Sequence, residues 1–189
     1  MPTKFSSSLY KLSSNAITFL ALLVFLIFSA LFLPSQTALA DRYSQGSGSP
    51  DTSLFYTPAD LMNMAANYGS EGRAAYVKAR LTFDLAFPII YTFFLVTCIS
   101  WTSRRVLGPA HFLRAGNILP FYALLFDVLE NTCAALIFSR FPTQLPFIAA
   151  VAPFFTLMKW ICVGSSFMLL TGLCIGYLIK TINKKSRPS

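Results

Sequence analysis

The sequence predicts an all-α protein, a transmembrane four-helix bundle with a short amphipathic outer helix. Three observations lead there. The chain of 189 residues is 55% hydrophobic and only 12% charged, about half the ~25% charged share of a soluble domain. Its apolar residues fall into four runs, each able to supply the roughly 20 residues that a helix needs to cross a bilayer. The runs do not alternate in polarity as barrel strands do. A chain in lipid must satisfy its backbone groups internally, so helices are the solution.

The first run, Ala16 to about Leu33, follows Lys4 and Lys11 and reads "AITFLALLVFLIFSALFL". With the downstream "TALAD" it resembles a secretory signal with an A-x-A site before Asp41, so residues 1–40 have two readings: a retained helix or signal anchor, and a cleavable signal. The uncharged run exceeds the roughly 7–15 residues of a signal core, which favours retention.

Residues 41–80 form an outer segment. "SQGSGSPDTS" reads as flexible loop. Thr57 as N-cap, Pro58 at the first helical position and Asp60 in the first turn then mark a helix start. Leu61, Met64, Ala65 and Tyr68 share one face and Gly69 is the stop. This helix is expected on the outer membrane surface or as a cap on the bundle. Another helix, from near Ser70 and Glu71, feeds the second span.

Residues 81–189 supply three spans and a basic tail. The spans run from about Leu81 to Trp101, Asn117 to Phe138, and Phe147 to Ile179. The last is too long for one straight crossing, which implies tilt, a bend near Pro153, or extension into the cytoplasm.

The net charge of +8 is placed as topology-setting charge rather than as a nucleic-acid footprint. Basic residues cluster at the ends of the apolar runs: Lys4 and Lys11, then Arg104, Arg105 and Arg114, then Lys180, Lys184, Lys185 and Arg187. Those nine fall on one side, against five on the other, namely Arg42, Arg73, Lys78, Arg80 and Arg140. Both termini are therefore expected inside, in a bacterial inner or plasma membrane. The same inner residues also suit anionic headgroups.

Several chemistries lack their residues. The four cysteines (Cys98, Cys133, Cys162, Cys174) sit in apolar runs without a CxxC pair, which argues against a disulfide framework or zinc site. The single histidine, His111, lies in an inner loop. "VGSSF" at Val163–Phe167 is not a nucleophile elbow, and phosphate loops, dinucleotide fingerprints and paired Glu-x-x-His motifs are missing. No metal and no cofactor is expected.

The chemistry that does stand out is charge inside the spans. A charged residue at mid-bilayer costs roughly 2.5–3.5 kcal/mol on insertion scales. Asp127, Glu130 and Lys159, left unpaired, would cost on the order of 8–10 kcal/mol together. They must be paired, neutralised or exposed to a water-filled cavity. Asp127, Glu130 and Asn131 share one helical face with Pro120, Ala123 and Ala134. Lys159 shares its face with Ala152, Thr156, Cys162 and Ser166. Asp127 is 12 residues from Ser139 and Lys159 is 12 from Phe147. At about 1.5 Å per residue, antiparallel spans bring them to one depth, so Lys159 is expected to pair with Asp127 or Glu130. Asp84, with Pro88 and Tyr91 at i+4 and i+7, lies nearer the outer surface. Arg80, Lys78 or Arg73 is its natural partner.

At these residues a resemblance can be drawn. "FYTPADLMNMAANYGSEGRAAYVKARLTFDLAFPIIY", then "LPFYALLFDVLENTCAALIFSRFP" and a lysine in the last span, resemble a group of small, mostly bacterial four-helix integral membrane proteins with a D-x-x-E-N motif in the third span. The shared positions are Tyr56, Gly72, Arg73, Tyr76, Asp84, Pro88, Tyr91, Asp127, Glu130, Asn131 and Lys159, within roughly residues 54–160. The resemblance implies fold and topology and no reaction.

Three roles fit the polar cluster: a structural ion pair that fixes helix register, a site for a ligand, lipid headgroup or proton, and catalysis. The expected function is a ligand- or lipid-binding membrane protein or an accessory membrane subunit. Its partners would be the bilayer, a lipid or small hydrophobic ligand, or another membrane protein. The alternative is a membrane enzyme acting on a lipid or isoprenoid-like substrate, with Asp127 and Glu130 as acid and base. The sterol-isomerase motif pattern is not found.

Overall fold

A computed structural model describes residues 4–185; Arg187 of the basic tail lies outside the described residues. The protein is an all-α helical bundle, with no strand among the described residues. Its helices are α1 (Lys4–Leu12), α2 (Asn15–Ser44), α3 (Pro58–Asn67), α4 (Gly69–Leu81), α5 (Phe83–Val106), α6 (Leu119–Arg140) and α7 (Pro146–Lys185). Four helical stretches are long and apolar enough to cross a membrane: Asn15–Ser44, Gly69–Val106, Phe112–Arg140 and Pro146–Lys185. They turn much of their apolar surface outward, as Phe19, Leu31, Phe147 and Met168 show. Water penalises such a surface and lipid does not.

Two span boundaries shift from the sequence expectation. α2 runs on past Leu33 through "TALAD", carrying Pro34 within it. α7 continues to Lys185 with Pro153 inside. Hydrophobicity marks where a helix is greasy, whereas a helix continues as long as its backbone bonds propagate.

Packing divides the chain into two compact units. The first gathers residues 1–25, 90–122 and 162–189. Its α1 was not anticipated from the sequence, and a buried amide holds it. Asn117, fully buried, accepts from Ser6 Oγ at 2.6 Å and donates to the Ser6 carbonyl at 3.1 Å and to Ser100 Oγ at 3.0 Å. Tyr10 adds a bond to the Arg114 carbonyl at 2.7 Å. The α5 hydroxyls of Thr97 and Thr102 bond back to Phe93 and Cys98 carbonyls, so they need no external partner.

The second unit gathers residues 26–89 and 123–161. α3 starts as its residues dictate. Thr57 Oγ1 accepts from the Asp60 amide, Asp60 Oδ2 accepts from the Thr57 amide, and Pro58 follows the cap, a complete capping box. The Thr57 amide first and the Thr57 hydroxyl second, donating to Asp60 Oδ2 at 2.8 and 2.7 Å, hold that carboxyl below its usual range. The face formed by Leu61, Met64, Ala65 and Tyr68 packs in one core with Ala134, Ile137 and Phe138 of α6 and Ala149 and Ala152 of α7. Tyr76 stacks on Phe138 with centroids 3.9 Å apart. α3 is thus a packed cap. Gly69 takes φ +62°, a left-handed turn that glycine adopts without a Cβ penalty, and α4 begins at that residue.

The loop expected to be flexible is structured. Residues Pro50–Thr52 form a 3-10 turn. Ser49 Oγ donates to Asp51 at 2.7 Å, and Tyr68 Oη donates to the Gly48 carbonyl at 3.3 Å. Glycine and serine content suggested mobility, but long-range partners order the segment.

Candidate functional site

Six ionisable side chains form one buried network in the second unit, and helical spacing builds most of it. Arg80 and Asp84 stand i,i+4 at the junction of α4 and α5, with Arg80 Nε 3.1 Å from Asp84 Oδ2. On α6, Asp127 and Asn131 are also i,i+4, and Asn131 Nδ2 donates to Asp127 Oδ1 at 2.8 Å. Arg80 Nη1 donates to Asn131 Oδ1 at 3.1 Å, tying α4 to α6. From α7, Lys159 bonds to Glu130 Oε2 and lies 3.8 Å from Asp127 Oδ1. Arg80 also pairs with Asp51. The side chains are 20% exposed at most, and Glu130 is fully buried.

A proline contributes to the arrangement. Pro88 has no N–H to bond the Asp84 carbonyl four residues back, as a helix interior would require. Asn131 Nδ2 points to that carbonyl at 3.4 Å instead. A freed backbone acceptor thus has a side-chain donor, as burial demands.

Neutral groups complete the surroundings. The Arg80 guanidinium lies 4.4 Å from the Tyr76 ring centroid, a cation–π contact. Tyr56 Oη and Thr156 Oγ1 are 2.9 Å apart. Burial pushes the Tyr56 hydroxyl above its ordinary value. Burial also works against the Asp51 charge, but Arg80, Lys159 and the bond from Ser49 outweigh it and hold that carboxyl below its ordinary value.

The structure brings together Asp127, Glu130, Asn131, Lys159, Asp84 and Arg80. Lys159 meets both carboxylates that depth matching paired it with. Tyr91, two turns after Asp84 on α5, is buried. Among the described residues, the ion pair of Asp84 is with Arg80 and not with Lys78 or Arg73. Arg73 donates to the Ala65 carbonyl at 3.0 Å and lies over the Phe141 ring. Sequence reasoning missed Asp51 and did not place Tyr56 or Tyr76 among the site residues. The Ser-Pro-Asp turn was the available signal for Asp51, since serine and aspartate flanking proline favour a structured turn.

The network holds four carboxylates (Asp51, Asp84, Asp127, Glu130) against two cations (Arg80, Lys159). Glu130 Oε1 and the Tyr76 hydroxyl are buried without a hydrogen-bond partner among the described residues. Buried polar groups are normally satisfied, so the site has more acidic than basic groups and spare hydrogen-bonding capacity.

Fold and site together define a class: a helical bundle with four helical stretches able to cross a membrane, holding a buried network of four acidic and two basic side chains. Comparison with protein-family models, with characterised proteins and with solved structures finds no match to this chain.

Proposed function

We propose that this is an integral membrane protein of the bacterial inner membrane whose polar network binds the cationic group of an amphiphilic ligand. One observation carries the reading: four carboxylates share two cations in a buried network, and Glu130 Oε1 is left without a partner there. An ammonium group would supply a third cation and the missing donor. The outward apolar surface of the four long helices and the positions of the basic residues support membrane residence with both termini inside. An accessory-subunit role is compatible with the same site. The enzymatic alternative assigns acid and base to Asp127 and Glu130, but both already engage Lys159, and a cation-binding role uses that geometry directly.

The test is a melting curve of the purified full chain in detergent, with a long-chain primary amine or the matching alcohol added below micellar concentration. The amine should raise the melting temperature and the alcohol should not. Glu130→Gln, checked for folding by circular dichroism, should lose the response. Equal stabilisation by both compounds, or an undiminished amine response in Glu130→Gln, would remove the reading.

A further inference from the structure

Helix α1 is amphipathic in the opposite sense to a helix packed on a protein in water. Its buried edge is polar. Ser6 and Ser13 are fully buried; Ser6 is satisfied by Asn117 and Ser13 by the Leu9 carbonyl at 3.0 Å. Its outward edge carries Phe5 and Leu12, 52% and 57% exposed. Seven residues apart, they stand two turns along one face. Lys4 and Lys11 repeat that spacing and form an exposed basic stripe beside them. A single exposed apolar side chain is ordinary. Water would nevertheless favour turning the serines out and Phe5 and Leu12 in.

Contacts within the first unit fix where α1 lies along the long helices. At its C-terminal end the Ser13 carbonyl accepts from Arg104, in the last turn of α5. At its N-terminal end Ser6 shares Asn117 with Ser100, four residues further into α5. The Phe5 ring meets Phe121, in the first turn of α6, edge-on at 5.2 Å. α1 therefore runs beside the ends of the apolar helices and not beyond them. Its outward edge continues into the exposed Phe19, Leu20 and Leu23 of α2. The unit contains none of the chain's seven acidic residues, so no carboxylate within it answers Lys4 or Lys11.

We propose that α1 is an interfacial helix docked on the anionic lipid surface at this end of the bundle. Phe5 and Leu12 lie at the acyl boundary, and Lys4 and Lys11 lie among the headgroup phosphates. A basic stripe beside an apolar edge is the pattern of helices that lie in the membrane plane. Charge complementarity selects anionic over zwitterionic lipid, since lysines at the membrane surface draw anionic headgroups. The inference rests on the membrane residence in the proposed function and uses none of the network residues.

Tryptophan quenching by brominated lipids tests it, with the full chain in vesicles of equal parts phosphatidylglycerol and phosphatidylcholine. The bromine is carried by one lipid or the other. One variant has Leu12→Trp, at an exposed position, with Trp101→Phe and Trp160→Phe. A second keeps only Trp160, which is exposed on α7, and reports membrane residence. Both are checked for folding by circular dichroism. The tryptophan at position 12 should be quenched, with a several-fold preference for brominated phosphatidylglycerol. Adding Lys4→Gln and Lys11→Gln should abolish the preference and leave the quenching. A tryptophan at position 12 that escapes quenching while Trp160 is quenched would overturn the proposal and leave membrane residence standing. Absence of quenching at both positions would remove both readings. Equal quenching by the two brominated lipids, with both lysines present, would overturn the anionic selection and with it the proposal.

Discussion

At the scale of the residue, Lys159 is the most consequential side chain. It is the cation nearest two carboxylates, one of them fully buried. Removing one partner of a buried ion pair leaves an uncompensated charge, whereas removing all of them leaves an apolar interior. Lys159→Met should therefore destabilise the protein by about 3–5 kcal/mol. The triple change Asp127→Leu, Glu130→Leu, Lys159→Met should recover most of that loss. Unfolding curves in detergent decide it: a triple variant less stable than Lys159→Met would show that the acids contribute more than charge balance.

At the scale of the element, the approach of α2 to α4 depends on Gly72. A Cβ there would lie 2.9 Å from the Tyr43 Cβ, closer than packed carbons tolerate, and a Cβ is not a flexible tip that can swing away. Helix propensity favours alanine over glycine by about 1 kcal/mol, yet overpacking costs typically 1–3 kcal/mol. Gly72→Ala should thus lower the melting temperature, and Tyr43→Ala added to it should bring the temperature back up. Stabilisation by Gly72→Ala alone would mean that the helices separate freely. The same helix pair carries Glu71, which accepts from the Tyr43 hydroxyl at 3.1 Å, so a shift of α2 would be felt there too.

At the scale of the whole molecule, the distribution of charge is the organising feature. The inner-side assignment rests on nine basic residues against five, and the loop around Gly46 and Gly48 is expected on the opposite side from the basic tail. Cysteines introduced at Ser47 and Lys184, with the four native cysteines replaced, should label from opposite faces of intact vesicles. Labelling of both from one face would reverse the topology and remove the membrane arrangement proposed for the site.

Local periodicity and length sufficed for much of this protein. Four apolar helices, the Thr57 capping box and the meeting of Lys159 with Asp127 and Glu130 follow from spacing along a helix and equal depth on neighbouring spans. These are short-range or one-dimensional properties, so a linear string contains them. Only the tertiary structure decided that Asp51, from a loop that reads as flexible, joins Arg80, and that Asn131 bridges Arg80 to Asp127. It alone pinned α1 with Asn117. Each of these depends on residues far apart in sequence coming together, and side-chain pairing across such distances leaves no periodic mark.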